Sequence, residues 1–161
     1  MMYLAVAVNA RDTNIIPDIV SFLTRSGAYH CELVFSDDNA CVVTPKYIGY
    51  MRRTYEWYKW QMLPLPMINA VAEADIRTRC NEIFSRNPTY DWLGVILGAL
   101  FRNLQTTRKW YCSELCKVLL NPYIPGVKKH EGWITPDRLC RIVSDELANK
   151  YPDYTTRPFL K

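Results

Sequence analysis

Histidine is scarce in this chain: 161 residues carry two, His30 and His130. Any chemistry that needs an imidazole therefore has two candidates to choose between. Long apolar runs are missing as well. The longest, Trp92 to Phe101, is ten residues, against the roughly 20 that a membrane-spanning helix needs, so no transmembrane segment is expected. The chain opens without a basic stretch, an apolar stretch and a small-residue cleavage site in succession, which argues against a secretory signal and for a soluble, cytoplasmic protein with reduced thiols. No Cys-x2-Cys pair occurs among the six cysteines at 31, 41, 80, 112, 116 and 140. A zinc site assembled from Cys31, Cys41, Cys112, Cys116 and the histidines is therefore disfavoured, and neither metal nor cofactor is expected. Lys and Arg outnumber Asp and Glu to give a net charge of +4 without a dense basic cluster, too mild a balance to call for nucleic acid.

What the chain does have is an ordinary globular composition, 49% hydrophobic and 22% charged, which removes disordered and fibrous classes from consideration. Its length suits a single domain with a substantial core. We place that domain over residues 1–148 and a polar tail over 149–161.

The most informative stretch is Trp110-Tyr111-Cys112-Ser113-Glu114-Leu115-Cys116 followed by Lys117-Val118-Leu119-Leu120. Leu115, Val118 and Leu119 recur at three- and four-residue steps, the period of a helix with one buried face. Cys112 then falls at the helix N-terminus, where unpaired N–H groups and the positive end of the dipole favour thiolate over thiol. Cys116 lies one turn further on, as core or as a resolving thiol under oxidation. A nucleophilic thiolate needs a base. His30 opens the alternating, β-prone run Tyr29 to Phe35, which ends in Ser36-Asp37-Asp38-Asn39, a turn signal. Ala40 to Thr44 would return as the second strand of a hairpin. Alternation puts His30, Glu32 and Val34 on one face and Cys31, Leu33 and Phe35 on the other, so Glu32 is a neighbour of His30 and Cys31 is not. His130, in Lys128-Lys129-His130-Glu131-Gly132, reads as a residue of a charged loop, with a role as base its alternative.

The remaining pattern reads as follows. Met1 to Val8 is a buried strand and Ile15 to Arg25 a short helix. Lys46 to Trp60 interleaves six aromatics with four basic residues, either a half-buried strand with its loop or a surface that stacks on a ligand. Gln61 to Pro66 is a further strand. Asn69 N-caps a helix to Arg86 that Asn87-Pro88 terminates, and Tyr90 opens a second helical stretch to about Phe101. Tyr123 to Trp133 is a loop with a Pro125-Gly126 turn. Thr135-Pro136-Asp137 starts a last helix, to about Ala148.

Cys-Ser-Glu-Leu at a helix start, a histidine on an early hairpin, and Tyr90-Asp91-Trp92 ahead of the cysteine together resemble the circularly permuted papain-like cysteine hydrolases of the NlpC superfamily. The likeness is greatest to YiiX-like proteins and small phage-encoded relatives, with lecithin retinol acyltransferase more distant, and it covers roughly residues 1 to 140. Unpermuted members place the cysteine helix first; here the histidine precedes it. The resemblance implies an α+β fold, a small antiparallel sheet packed against helices, and a bacteriophage origin. It implies a Cys112–His30 pair acting through a thioester on an amide or isopeptide bond, with peptidoglycan as a candidate substrate and a lipid ester or thioester as the second substrate class. The alternative is a catalytically weak binding module for a host protein. The family supplies a polar orienting residue, often histidine, from the strand after the histidine strand. No histidine stands there in this chain, which leaves Thr44 of that strand, or Glu32 two residues from His30, for that role. Tyr90 matches the family tyrosine whose hydroxyl enters the site, with an aromatic core anchor as its other reading.

Overall fold

The computed structural model describes residues 1–8, 27–56, 58–91, 94–95 and 109–154. The helix expected over Ile15 to Arg25 lies outside them. The elements are β1 (Tyr3–Ala7), β2 (His30–Val34), β3 (Asn39–Thr44), β4 (Tyr47–Arg52), β5 (Trp60–Pro64), α1 (Ala70–Phe84), β6 (Thr89–Tyr90), β7 (Lys109–Trp110), α2 (Cys112–Leu120), α3 (Pro125–Lys128) and α4 (Pro136–Lys150), then a single 3-10 turn at Pro152–Tyr154. The protein is α+β: five antiparallel strands in the order β4-β3-β2-β1-β5, with helices packed on one side.

Alternation along the strands creates two unequal faces. Leu4, Val6, Cys31, Leu33, Cys41, Val43 and Leu63 join the apolar residues of α1, α2 and α4 in the main core. The opposite face carries a smaller cluster, Ala5, Val34, Ala40 and Val42, covered by Tyr3, Met51, Tyr55, Trp60 and Met62. Because the sheet is covered on both sides, the register of each strand is fixed by two sets of contacts. β1 sits between β2 and β5, with Ala7 opposite His30 on one side and Trp60 on the other, and Ala5 opposite Glu32 and Met62. Two alanines at those positions leave room for large side chains from the flanking strands.

The β2–β3 turn closes through Phe35 N–H to Asn39 O (2.8 Å) and Asp38 N–H to Phe35 O (3.1 Å), with Asp38 in the left-handed region at φ 66°. Asp residues tolerate that conformation better than most. The turn is tied to α1, because Glu73 Oε1 accepts from Ser36 N (3.0 Å), Ser36 Oγ (2.9 Å) and Arg77 Nη2 (3.1 Å). Asn69 caps α1 as its sequence promises, accepting from Ala72 N at 2.9 Å, and Thr135 does the same for α4 from Arg138 N at 3.0 Å. Arg79 of α1 reaches the last turn of α2, donating to Val118 O (2.8 Å) and Leu119 O (3.3 Å). Those carbonyls have no partner within the helix, and a cation there also suits the dipole.

Three expectations are corrected. Tyr90 does not open a helix; Thr89 and Tyr90 pair in parallel with Lys109 and Trp110. Asp91 follows with its N–H on Trp110 O (2.9 Å) and its carboxylate accepting from Gly94 N (2.8 Å), a short acceptor capping the helical residues Gly94 and Val95, and the remainder of the stretch expected to reach Phe101 lies outside the described residues. Pro125 and Gly126 open the short helix α3 rather than a turn, since proline's fixed φ suits a first helical position. The last helix runs to Lys150, so the first two residues assigned to the tail belong to it.

Glu73 joins the turn to α1 through three bonds to a single oxygen, with Asp37 Oδ1 accepting from Arg77 Nη2 beside it (2.7 Å). Glu73→Ala is therefore expected to destabilise the fold by about 1–3 kcal/mol through the loss of buried charge-assisted bonds, read as a lower urea midpoint at unchanged slope.

Candidate active site

The site forms where the start of α2 meets the start of β2. Tyr111, extended at φ −118° and ψ 164°, precedes α2 and gives its first turn no side-chain cap. Cys112 is the first helical residue and is 6% exposed. Ser113, buried beside it, donates Oγ–H to Ile134 O at 2.8 Å, and Lys117 Nζ reaches Gly132 O at 2.6 Å. These bonds hold the segment before α4 against the helix start. A small cavity of about 20 Å³ beside Cys112 is lined by Tyr29, Tyr90, Val95, Tyr111, Trp133 and Ile134 among others, enough for a single water. Among the described residues, Trp133 Nε1 is buried without a hydrogen-bond partner.

His30 couples directly to Cys112 by charge and hydrogen bond. Its Nε2 lies 3.4 Å from Glu32 Oε2, and its ring stands edge-on to Trp60 with centroids 5.9 Å apart. Burial works against an imidazolium here, but the Cys112 thiolate, its hydrogen bond and the Glu32 carboxylate outweigh it and raise the His30 pKa to about 10. Cys112 moves the other way, well below an ordinary thiol. Its largest support is a hydrogen bond from the Cys31 thiol, opposed by burial, then joined by the charge and hydrogen bond of His30 and by the Cys31 backbone N–H. Cys31 is itself held protonated, by burial first and then by its bonds to Cys112 and Cys116, so it can only donate. The geometry of β2 accounts for this. β2 pairs with β3 at Leu33–Cys41 and Val34–Ala40, and nearer the start of β2 the Cys31 N–H goes to the Cys112 sulfur.

Thr44 and Glu32, the two orienting candidates, are separated clearly. Thr44 Oγ1 donates to Tyr47 O and accepts from Tyr47 N, both at 3.0 Å, so its hydroxyl is occupied in the β3–β4 turn. Glu32, with no solvent exposure, holds His30 as alternation along the strand anticipates. Tyr90 lines the cavity with Cys112, and burial, then the nearby thiolate, keep its phenol protonated. His130 instead places Nε2 3.2 Å from Trp133 O and borders a groove of about 490 Å³ between α3 and α4. Sequence reasoning missed Cys31 and Trp133. The strand pattern does send Cys31 to the helix-facing side, but only the packing of α2 on β2 puts a thiolate there.

All six cysteines are free and buried, and Cys41 Sγ lies 3.5 Å from Cys80 Sγ. Among the described residues no group of three or more His, Cys, Asp and Glu is arranged to hold a metal ion, and no helix is long and apolar enough to cross a membrane. No protein-family model, curated protein or solved structure matches the chain.

A preformed thiolate–imidazolium pair has a pH signature. The raised His30 contributes stability that is complete below its unfolded value of about 6.5 and is lost as pH rises through about 10. The depressed Cys112 contributes stability that is complete above its unfolded value of about 8.5 and is lost as pH falls through its lowered folded value. Together they are most stabilising between those two unfolded values. The expected outcome is a thiolate ultraviolet absorbance that persists below the ordinary thiol range in the wild type and in Thr44→Val. In His30→Ala it should retreat to a more alkaline midpoint.

Proposed function

We propose that this protein is a cysteine hydrolase of permuted papain-like design. The observation that carries the reading is the coupling of Cys112, at a helix N-terminus, to an imidazole whose Nε2 lies beside a buried carboxylate. Nucleophile, base and orienting group occur together in the order that acyl-transfer chemistry requires. His30 takes the proton of Cys112, and the thiolate attacks an acyl carbon. The imidazolium protonates the departing group, leaving a thioester, and His30 then activates the water that hydrolyses it. The oxyanion would lie at the first N–H groups of α2, with Tyr90, which lines the same cavity, as a further donor, the environment in which developing charge is best stabilised. The bond class that fits the resemblance is an amide or isopeptide, with peptidoglycan peptides as candidate substrates. Esters and thioesters of lipids come second, because the cavity at Cys112 is walled by apolar and aromatic side chains. The histidine strand precedes the cysteine helix along the chain, which supports the permuted order.

The test is iodoacetamide labelling at each cysteine, followed by mass spectrometry from pH 5 to 9, together with intact-mass trapping of acyl adducts from amide and ester panels. Cys112 alone should label fast near pH 6. His30→Ala should slow labelling there by about 10²–10⁴-fold, the usual contribution of a positioned base, and turnover should vanish in Cys112→Ala. A Cys112 that labels only with an ordinary thiol midpoint and never carries an adduct would sink the reading.

A further inference from the structure

Glu32 uses its two carboxylate oxygens differently. Oε2 faces His30 Nε2 at 3.4 Å, while Oε1 accepts the Tyr55 hydroxyl at 2.5 Å and lies 3.7 Å from Arg53 Nε. Tyr55 and Arg53 belong to the segment between β4 and β5, which returns across the smaller face of the sheet. That segment is closed on itself by Lys59 N–H and Trp60 N–H, both donating to Glu56 O, and by a Lys59–Glu56 ion pair at 2.9 Å. Trp60 then wedges between the two ends, edge-on to His30 (5.9 Å, 78°) and to Tyr55 (5.2 Å, 88°).

Resting on the hydrolase reading, we propose that Tyr55 and Arg53 are positioning residues for the reaction: they hold the Glu32 side chain aimed at His30, and through it set how early Cys112 becomes a thiolate. A fully buried carboxylate stays charged only if donors and a countercharge replace its water. His30 cannot do this alone, because it can shed its own proton. Tyr55 supplies a short, charge-assisted hydrogen bond, and burial followed by the Glu32 charge and its hydrogen bond keeps that phenol protonated, hence a donor. Arg53 Nε, buried and beyond hydrogen-bonding range, supplies charge. An aligned carboxylate in turn fixes the imidazole tautomer and steadies the imidazolium.

Among the described residues, His30 and Cys31 face this relay from β2, Cys41 from β3, Cys116 from the helix of Cys112 itself, Tyr90 from β6, and Tyr111 from the position before α2. Cys41 feels the Glu32 charge, and His30 lies within 3.4 Å of its carboxylate. Removal of the Tyr55 hydroxyl therefore reaches Cys112 through Glu32 and His30.

The experiment compares the pH profile of Cys112 alkylation in wild type, Tyr55→Phe, Arg53→Met and Glu32→Gln, with thermal melting of each. Tyr55→Phe should move the acid limb upward by about one pH unit, about a tenfold slower labelling at a fixed pH on that limb. Wild-type rates should return on the alkaline plateau, where the thiolate forms unaided. Arg53→Met should shift the limb the same way by less, and Glu32→Gln by at least as much. A structural role alone would change the melting temperature or the labelled fraction and leave the midpoint in place. A wild-type limb that begins early and is unmoved in Tyr55→Phe and Arg53→Met overturns this inference and leaves the hydrolase reading standing. A wild-type limb at an ordinary thiol midpoint overturns both. Should Tyr55→Phe fail to fold, Arg53→Met keeps the phenol and decides alone: an upward shift supports the relay, and an unchanged midpoint ends it.

Discussion

A carboxylate sealed from solvent is the most demanding group in this molecule, and Glu32 is one. Its burial would cost several kcal/mol if it were left uncompensated, so three side chains from two stretches are committed to it: His30 from its own strand, and Tyr55 and Arg53 from the segment that leaves the far edge of the sheet. That requirement links the β4–β5 connection, the interior of the sheet and the imidazole in one electrostatic unit. The same unit explains the alanines of β1. Ala5 and Ala7 stand opposite Glu32 and His30, where a larger residue would compete for the space this cluster fills.

β2 serves two masters. Its even positions supply His30 and Glu32 to the smaller face, and its odd position Cys31 turns into the main core to meet Cys112 and Cys116. His30, at the end of the strand and half-buried, borders both sides and so connects the carboxylate to the thiolate. The anchoring of α2 is equally distributed: Arg79 satisfies its C-terminal carbonyls, while Ser113 and Lys117 bind the segment ahead of α4. The helix N-terminus is thus left pointing at the thiol with its first turn uncapped by any side chain of Tyr111.

Much of the fold follows from local rules. Asn69 and Thr135 announce their helices because capping chemistry acts over three residues, and the hairpin of β2 and β3 is written in alternation and a polar turn. Cys112, His30 and Glu32 could be singled out for the same reason: each signal lies within a few residues of itself. Tyr55 could not, because nothing near position 55 says that a carboxylate 23 residues earlier needs a donor. Thr44 had the right place in sequence for an orienting group, yet a nearer partner, the backbone of Tyr47, claims its hydroxyl. Tyr90 reads as helical beside an apolar run, but its parallel partner Trp110 lies 20 residues away, beyond what periodicity can sense.

The division of β2 between two faces also bears on how such a chain can vary. A substitution at Cys31 or at Glu32 is felt first on its own face, the thiol's in the main core and the carboxylate's on the smaller side. A single residue inserted or deleted within 30–34 is different, since a one-step slip of a strand reverses the facing of every side chain along it. Carboxylate and thiol would trade sides, the first entering an apolar helix interface and the second meeting Tyr55 and Arg53. Length within this strand is therefore far less negotiable than composition, whereas the connections at either end can grow or shrink without disturbing that parity.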